Sequence, residues 1–194
     1  MNLISDKKSS YLQEKIEGLT YTDTKIQNIE FENCIFEKCI FISCAFENCR
    51  FIDCAFNNCS ISAEKPINST FVNIKFRNSK IMGCDWTKAK TVRFLEFENC
   101  DISYSNFSFL KLPFLKLFNC TAKEANFNDA DLSDANFKGT DFLQSIFSNT
   151  NLFRADFRNA YNYGIDLNSN KVKKAKFSLP DAAALLKSFD IEVE

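Results

Sequence analysis

The amino-acid sequence predicts an all-β solenoid, and three observations carry that prediction. A Phe recurs at every fifth residue from Phe31 to Phe56, in the run FENCI FEKCI FISCA FENCR FIDCA F. A Cys stands two residues before each of these except the first: Cys34, Cys39, Cys44, Cys49 and Cys54. The same five-residue frame then continues, with other apolar residues, through most of the chain. A period of five matches neither the helical period of about 3.6 nor the strand period of about 2.0. It marks an internal repeat, and repeats of this kind stack.

The repeat has a physical meaning. Call the large residue i. Positions i and i−2 lie on one face of an extended segment. Five residues cannot bury that face alone, so the chain turns at each unit and stacks the next layer on the last. Position i fills the interior, and i−2 is small because the adjoining wall leaves little room. Positions i−1, i+1 and i+2 face water.

The frame begins at Ile16, Tyr21 and Ile26, with residues 1–15 expected as a polar cap. It runs through Ile61, Phe71, Phe76, Ile81 and Trp86. It then resumes one residue out of phase at Phe97 and continues to Phe157, Leu167, Val172 and Phe177. Residues 62–70 lose the chemistry of the repeat, and Pro66 stands where a core residue belongs. Proline cannot donate to a ladder, so a projecting loop is expected there, with Glu64 and Lys65 on it. A second projection is expected at 87–96, where the phase slips and Lys88, Lys90 and Arg93 cluster. Asn162, beside Tyr161, Tyr163 and Gly164, marks a local break.

From residue 97 onward position i−1 is rich in acid and amide, including Asp101, Asp131, Asp141 and Asp156, while Asp129 and Asp134 add charge at i+2. Two readings fit. Asp and Asn at turns bond the local backbone. The same residues also set rows of oxygen atoms on a rod. In residues 29–61 position i−1 instead carries Ile35, Ile40, Ala45 and Ala55, which fit either a contact surface or, the reading preferred, ordinary scattered surface apolars.

After Ser178 the pattern changes to SLPDAAALLKSFDIEVE. Ser178 and Asp181 fit a capping box, with Pro180 in the first turn. Ala182, Leu185, Leu186 and Phe189 form a stripe at helical spacing, and Ile191 and Val193 follow on one side of an extended tail. A short α-helix and its tail over 178–194 are expected to cover the open end and to offer a self-association face.

Composition narrows the function classes. The chain has 194 residues, Lys+Arg 24 against Asp+Glu 25, and a formal net charge of −1. Gly 4 and Pro 3 leave little room for linkers, so one domain is expected. No apolar run is long enough to cross a membrane and MNLISDKKSS does not read as a signal peptide, so a cytosolic protein is expected. The count of nine Cys against His 0 argues against zinc. All nine, including Cys59, Cys84, Cys100 and Cys120, occupy position i−2, so buried structural thiols are expected. With no histidine, no evident nucleophile and no convergent carboxylate pair, neither an enzyme nor a cofactor is expected.

The units ANFND (125–129), ADLSD (130–134), ANFKG (135–139) and ADFRN (155–159) resemble the pentapeptide-repeat family motif A(D/N)LXX. The resemblance covers residues 16 to 177. It implies a right-handed quadrilateral β-helix with about 20 residues per coil, and coils about 4.8 Å apart. Columns spaced by twenty agree with it: Leu112, Leu132, Leu152 and Val172; Phe97, Leu117, Phe137, Phe157 and Phe177. The tail and loop pattern resembles the Qnr, MfpA and AlbG group, most of all its albicidin-immunity branch. That resemblance implies a cytoplasmic homodimer joined through Leu185, Leu186, Phe189, Ile191 and Val193. It implies a DNA mimic that binds DNA gyrase or topoisomerase IV, not nucleic acid or membrane, and gives resistance or immunity to quinolones or peptide-like poisons. The acidic strip facing the enzyme would be Asp101, Asp129, Asp131, Asp134, Asp141 and Asp156. Glu64, Lys65, Lys88, Lys90 and Arg93 would make loop contacts. Near-neutral net charge leaves open an alternative, a scaffold or adaptor for another protein.

Overall fold

The computed structural model describes Leu3, residues 8–63 and residues 65–189. The chain winds as a parallel β-helix of about eight coils. Residues twenty apart are neighbours: Tyr11 pairs with Phe31, Phe31 with Phe51, and Phe51 with Phe71. Four units of five therefore close one coil, and the rod has four walls. We number them by their first core residues: wall 1 at Tyr11, wall 2 at Ile16, wall 3 at Tyr21 and wall 4 at Ile26.

Aromatic rings tile the first half of the interior. The Phe51 ring stacks on Phe31 at 4.9 Å and on Phe71 at 4.8 Å, and it meets Phe46 of the next wall edge-on at 5.1 Å. Phe36 and Phe56 stack at 4.4 Å. Parallel contacts between coils and edge contacts within a coil are both arrangements that ring quadrupoles favour. A single residue type thus fits every wall, which accounts for the reuse of Phe.

Position i−2 is small, and it also donates. The Cys34 thiol points to the carbonyl of Tyr11 in the coil before (3.4 Å), Cys49 to that of Ile26 (3.3 Å) and Cys54 to that of Phe31 (3.4 Å). Ser69, Thr140 and Thr150 give hydroxyl bonds of 2.9 Å to Phe46, Leu117 and Phe127 in the same way. Ser69 Oγ also accepts from the Cys49 N–H at 2.9 Å. These side chains thus supply donors to buried carbonyls, and a buried polar group left unpaired is costly. All nine cysteines are free and buried.

Position i+2 is the corner. Its backbone lies in the left-handed region in nearly every unit, as at Asn33 (φ 53°), Asp53 (φ 53°), Asn78 (φ 49°) and Asp129 (φ 56°). Asn, Asp and Gly tolerate that conformation best, which explains their recurrence.

Four expectations need correction. The solenoid starts earlier than Ile16, because Ser10–Leu12 already forms a strand and Tyr11 is buried under Phe31. Charged neighbours such as Lys8, Glu14 and Lys15 give this segment the look of a polar cap. The segment 62–70 does not project: Lys65 bridges to Ala45, Pro66 is buried, and Ser69 fills the inward donor position. The proline ring fills the inward position that a core residue takes in other units. The segment 87–96 is also part of the wall. The single 3-10 turn Trp86–Lys88, capped by Asp85, absorbs the extra residue; Thr91–Glu98 then runs as a strand beside Thr70–Arg77, with Val92 in the core. The frame after Trp86 is therefore Val92, Phe97, and Val92 was overlooked because it lies six residues on.

The fourth correction is the C-terminal helix. Asp181–Phe189 is a 3-10 helix, not an α-helix. The Ser178 hydroxyl accepts from the Asn159 N–H at 3.1 Å, so it ties the helix entry to the preceding coil instead of forming a capping box. Leu185 is buried, Leu186 half-buried and Phe189 exposed. At the expected break near Asn162, Tyr163 and Ile165 enter the core in place of a regular unit. Asn170 restores the pattern by donating to the Phe147 carbonyl at 3.0 Å. Among the described residues no helix is long and apolar enough to cross a membrane.

Candidate binding surfaces

The six carboxylates expected as a strip do not share a face. Asp101 and Asp141 lie on wall 3, two coils apart with Thr121 between them. Asp131 lies on wall 1, between Lys111 and Asn151. Asp156 lies on wall 2, between Asn136 and Lys176. Asp129 and Asp134 occupy corners. The reason is geometric. Each unit turns the chain by one wall, so residues five apart face different directions and only residues twenty apart line up.

Each carboxylate also has local work. At i−1 it accepts the N–H two residues on: Asp101 from Ser103 (3.0 Å), Asp131 from Ser133 (3.1 Å), Asp141 from Leu143 (3.1 Å) and Asp156 from Arg158 (3.1 Å). Asn106, Asn126, Asn136 and Asn151 do the same. This is the turn-making use of Asp and Asn, and it explains why acid and amide alternate freely there. Asp129 accepts from Asn149 in the next coil at 2.6 Å. Asp134 pairs with Arg154 at 2.6 Å, and buried Asp141 lies 3.7 Å from Lys123. The hydrogen bond from Arg158, at 2.7 Å, holds the Asp156 carboxyl at about 2, well below the usual carboxylate range.

The expected loop cations lie on the body of the rod. Lys65 is on wall 4. Lys88 ends the 3-10 turn, 3.9 Å from Asp85, and Lys90 follows it. Arg93 sits on wall 1 opposite Val72. Lys88, Lys90 and Arg93 thus mark the edge between walls 4 and 1. Glu64, Ile191 and Val193 lie outside the described residues.

One surface feature escaped sequence reading. Phe94, Tyr104, Phe109 and Phe114 occupy corner positions with positive φ and are exposed. The signal was present as an aromatic at i+2, where the array otherwise prefers Asn, Asp or Gly. Reading it required knowing that i+2 is the left-handed corner.

Two family models match the chain. Residues 29–107 match the pentapeptide repeat region, and residues 125–161 match pentapeptide repeats (8 copies). Among curated protein sequences, none matches. Among solved structures, a trypsin-treated variant of QnrB1, a plasmid-mediated fluoroquinolone resistance protein, superposes with a TM-score of 0.73 at 21% identity, over 96% of this chain and 99% of that one. A second trypsin-treated QnrB1 variant gives a TM-score of 0.67 at 21% identity, over 93% of this chain and 100% of that one. At this identity the likeness establishes the shared fold.

Proposed function

The chain belongs to the pentapeptide-repeat family, and on that premise we propose that it is a non-enzymatic binding protein that engages DNA gyrase or another type II topoisomerase and protects it from a fluoroquinolone or a peptide-like poison. The observation that carries this reading is the end-to-end likeness to QnrB1, spanning nearly the full length of both chains. A rigid rod suits the role. Its stacked aromatic core and ladder-bonded walls present a surface that needs little ordering on binding. Contact with the enzyme rests on the shape of the rod and on individual groups such as Asp129 and Asp131, not on a continuous acidic stripe. Leu186 and Phe189 at the C-terminal end supply the apolar face for a twofold homodimer in the cytoplasm.

A gyrase supercoiling assay with a fluoroquinolone, run with and without the purified protein, tests the reading. Restored supercoiling is expected. Absence of both binding and protection at low salt would refute it. In the same preparation, sedimentation should show a dimer that Leu186→Asp converts to monomers. The second reading, an adaptor for another protein, is favoured by the scattering of the six carboxylates over three walls and their corners.

A further inference from the structure

Left-handed corners favour Asn, Asp and Gly, and most corners of this rod carry them. Between residues 92 and 117 four of the five corners depart from that preference, Asn99 being the exception. Phe94, Tyr104, Phe109 and Phe114 hold corners at φ of 53°, 63°, 62° and 66°. Their exposures are 57%, 56%, 74% and 54%. Each combines backbone strain with exposed apolar area, and neither supports the fold. Asn73 holds the same corner as Phe94 one coil earlier, at φ 55°.

Phe94 and Phe114 share one corner in successive coils. Together with Val72, Leu95 and the rim residues Glu96 and Lys116 they line a shallow groove of about 500 Å³. Phe94 also borders a second hollow of about 270 Å³, lined by Arg93, Lys111, Leu112 and Pro113. The charges around these hollows are unequal in availability. Glu96 is already paired, to Lys116 at 3.2 Å, with Arg77 at 4.0 Å. Asp131, beside Lys111 in the next coil, accepts from Ser133 and Asn151. Among the described residues, Arg93 and Lys111 have no ion pair. The unused charge here is positive.

We propose that this corner docks an acidic, extended segment of a partner protein. A large apolar side chain of that segment sits between Phe94 and Phe114 over Leu95, and its carboxylates meet Arg93 and Lys111. A nucleic acid strand fits less well. It lays down a phosphate at every nucleotide and needs a track of cations, whereas the hollow here offers two, beside a groove rimmed by Glu96, on a chain of net charge −1. A second copy of this chain fits less well too, because a twofold contact here would bring the same cations together. The proposal goes beyond the topoisomerase reading and does not depend on it.

The probe is a short fluorescein-labelled peptide with Asp and Glu flanking a central Leu-Phe pair, followed by fluorescence anisotropy. Its controls are the same peptide with Ala for Leu-Phe, with Lys for the acids, and a labelled oligothymidylate. The wild type should bind the acidic peptide in preference to all three. The variant F94N/F114N should bind it at least about tenfold more weakly while unfolding at a higher denaturant concentration, since Asn suits the left-handed corner. The variant R93Q/K111Q should lose about as much affinity and most of its salt dependence. The proposal is overturned if the wild type does not bind the peptide or F94N/F114N binds it unchanged. It is equally overturned if the oligothymidylate binds more tightly, or if F94N/F114N abolishes self-association of the rod.

Discussion

Replacing Phe51 by Ala tests the stacked core at one of its most connected points. The side chain is fully buried, and its ring contacts five others: Phe31 at 4.9 Å, Phe71 at 4.8 Å, Phe46 at 5.1 Å, Phe56 at 5.9 Å and Phe36 at 6.0 Å. Burying a side chain of this size contributes about 2–3 kcal/mol by area alone. The cavity left behind adds to that, and measured Phe→Ala losses in cores run about 3–5 kcal/mol. The outcome here should lie near the upper end, about 4–5 kcal/mol. The rings above and below are held on backbone ladders, with Arg50 N–H bonded to Ile29 and Thr70 N–H to Cys49, so the walls cannot close on the gap. Phe51→Leu keeps most of the volume and should lose only about 1–1.5 kcal/mol. Guanidinium unfolding followed by circular dichroism gives both values. Hydrogen exchange should place the loosened amides within the coils that flank residue 51, because each coil contacts mainly its neighbours. A Phe51→Ala loss below about 1 kcal/mol, or equal losses for Ala and Leu, would refute the stacked-ring account.

The nine thiols should react slowly with a thiol reagent in the native state and all at once on unfolding. All nine are buried, and burial pushes Cys54 and Cys120 up to about 12 and Cys100 up to about 11. Rapid labelling of most of them before unfolding would contradict the inward placement of position i−2. Acid should weaken the rod through Asp156, whose folded value of about 2 lies below its ordinary 3.8. A depressed carboxyl stabilises the fold above its unfolded value, so that contribution is present above about pH 4 and disappears as pH falls through about 2. Because Arg158 is half exposed, the contribution is about 0.5–1 kcal/mol. Unfolding curves of wild type and Asp156→Asn should therefore differ at neutral pH and converge near pH 2; a constant gap would count against the pairing.

Much of the fold was legible because the repeat encodes it redundantly. Phe at i and a small residue at i−2 recur often enough that Tyr11, Pro66 and Val92, none of them typical, are placed by their neighbours rather than by their own chemistry. Those three were misread for that reason. Pro66 looked like a breaker because proline usually disrupts ladders, yet it is buried as a core residue in the register its neighbours set. The one-residue slip was legible as a count, but not its form, since a 3-10 turn and a projecting loop consume the same residue. The helix at Asp181–Phe189 showed its apolar stripe in sequence. Its winding depends on how Ser178 is drawn to Asn159, a contact that local patterning does not contain.

The surface was less legible, and the cause is the same geometry that makes the core so regular. Every unit contributes one residue to every class of position, so all i−1 residues look equivalent along the chain. In space they separate by wall. Asp131 and Asp141 are ten residues apart and lie on opposite walls, whereas Asp101 and Asp141 are forty apart and lie in one column. Some ion pairs follow the same register: Glu30 with Arg50, Glu96 with Lys116 and Asp134 with Arg154 are each twenty apart. A partner that reads this rod along its axis therefore reads a twenty-residue column, shifted by one after Trp86. In that register wall 1 carries Ile52, Val72, Arg93 and Pro113, and its corner carries Asp53, Asn73, Phe94 and Phe114. The composition of a column, not of a stretch, decides what can dock. That is why Phe94 and Phe114, twenty residues apart, share one corner while Tyr104 and Phe109 fall on two others, and why a run of aspartates does not make a stripe.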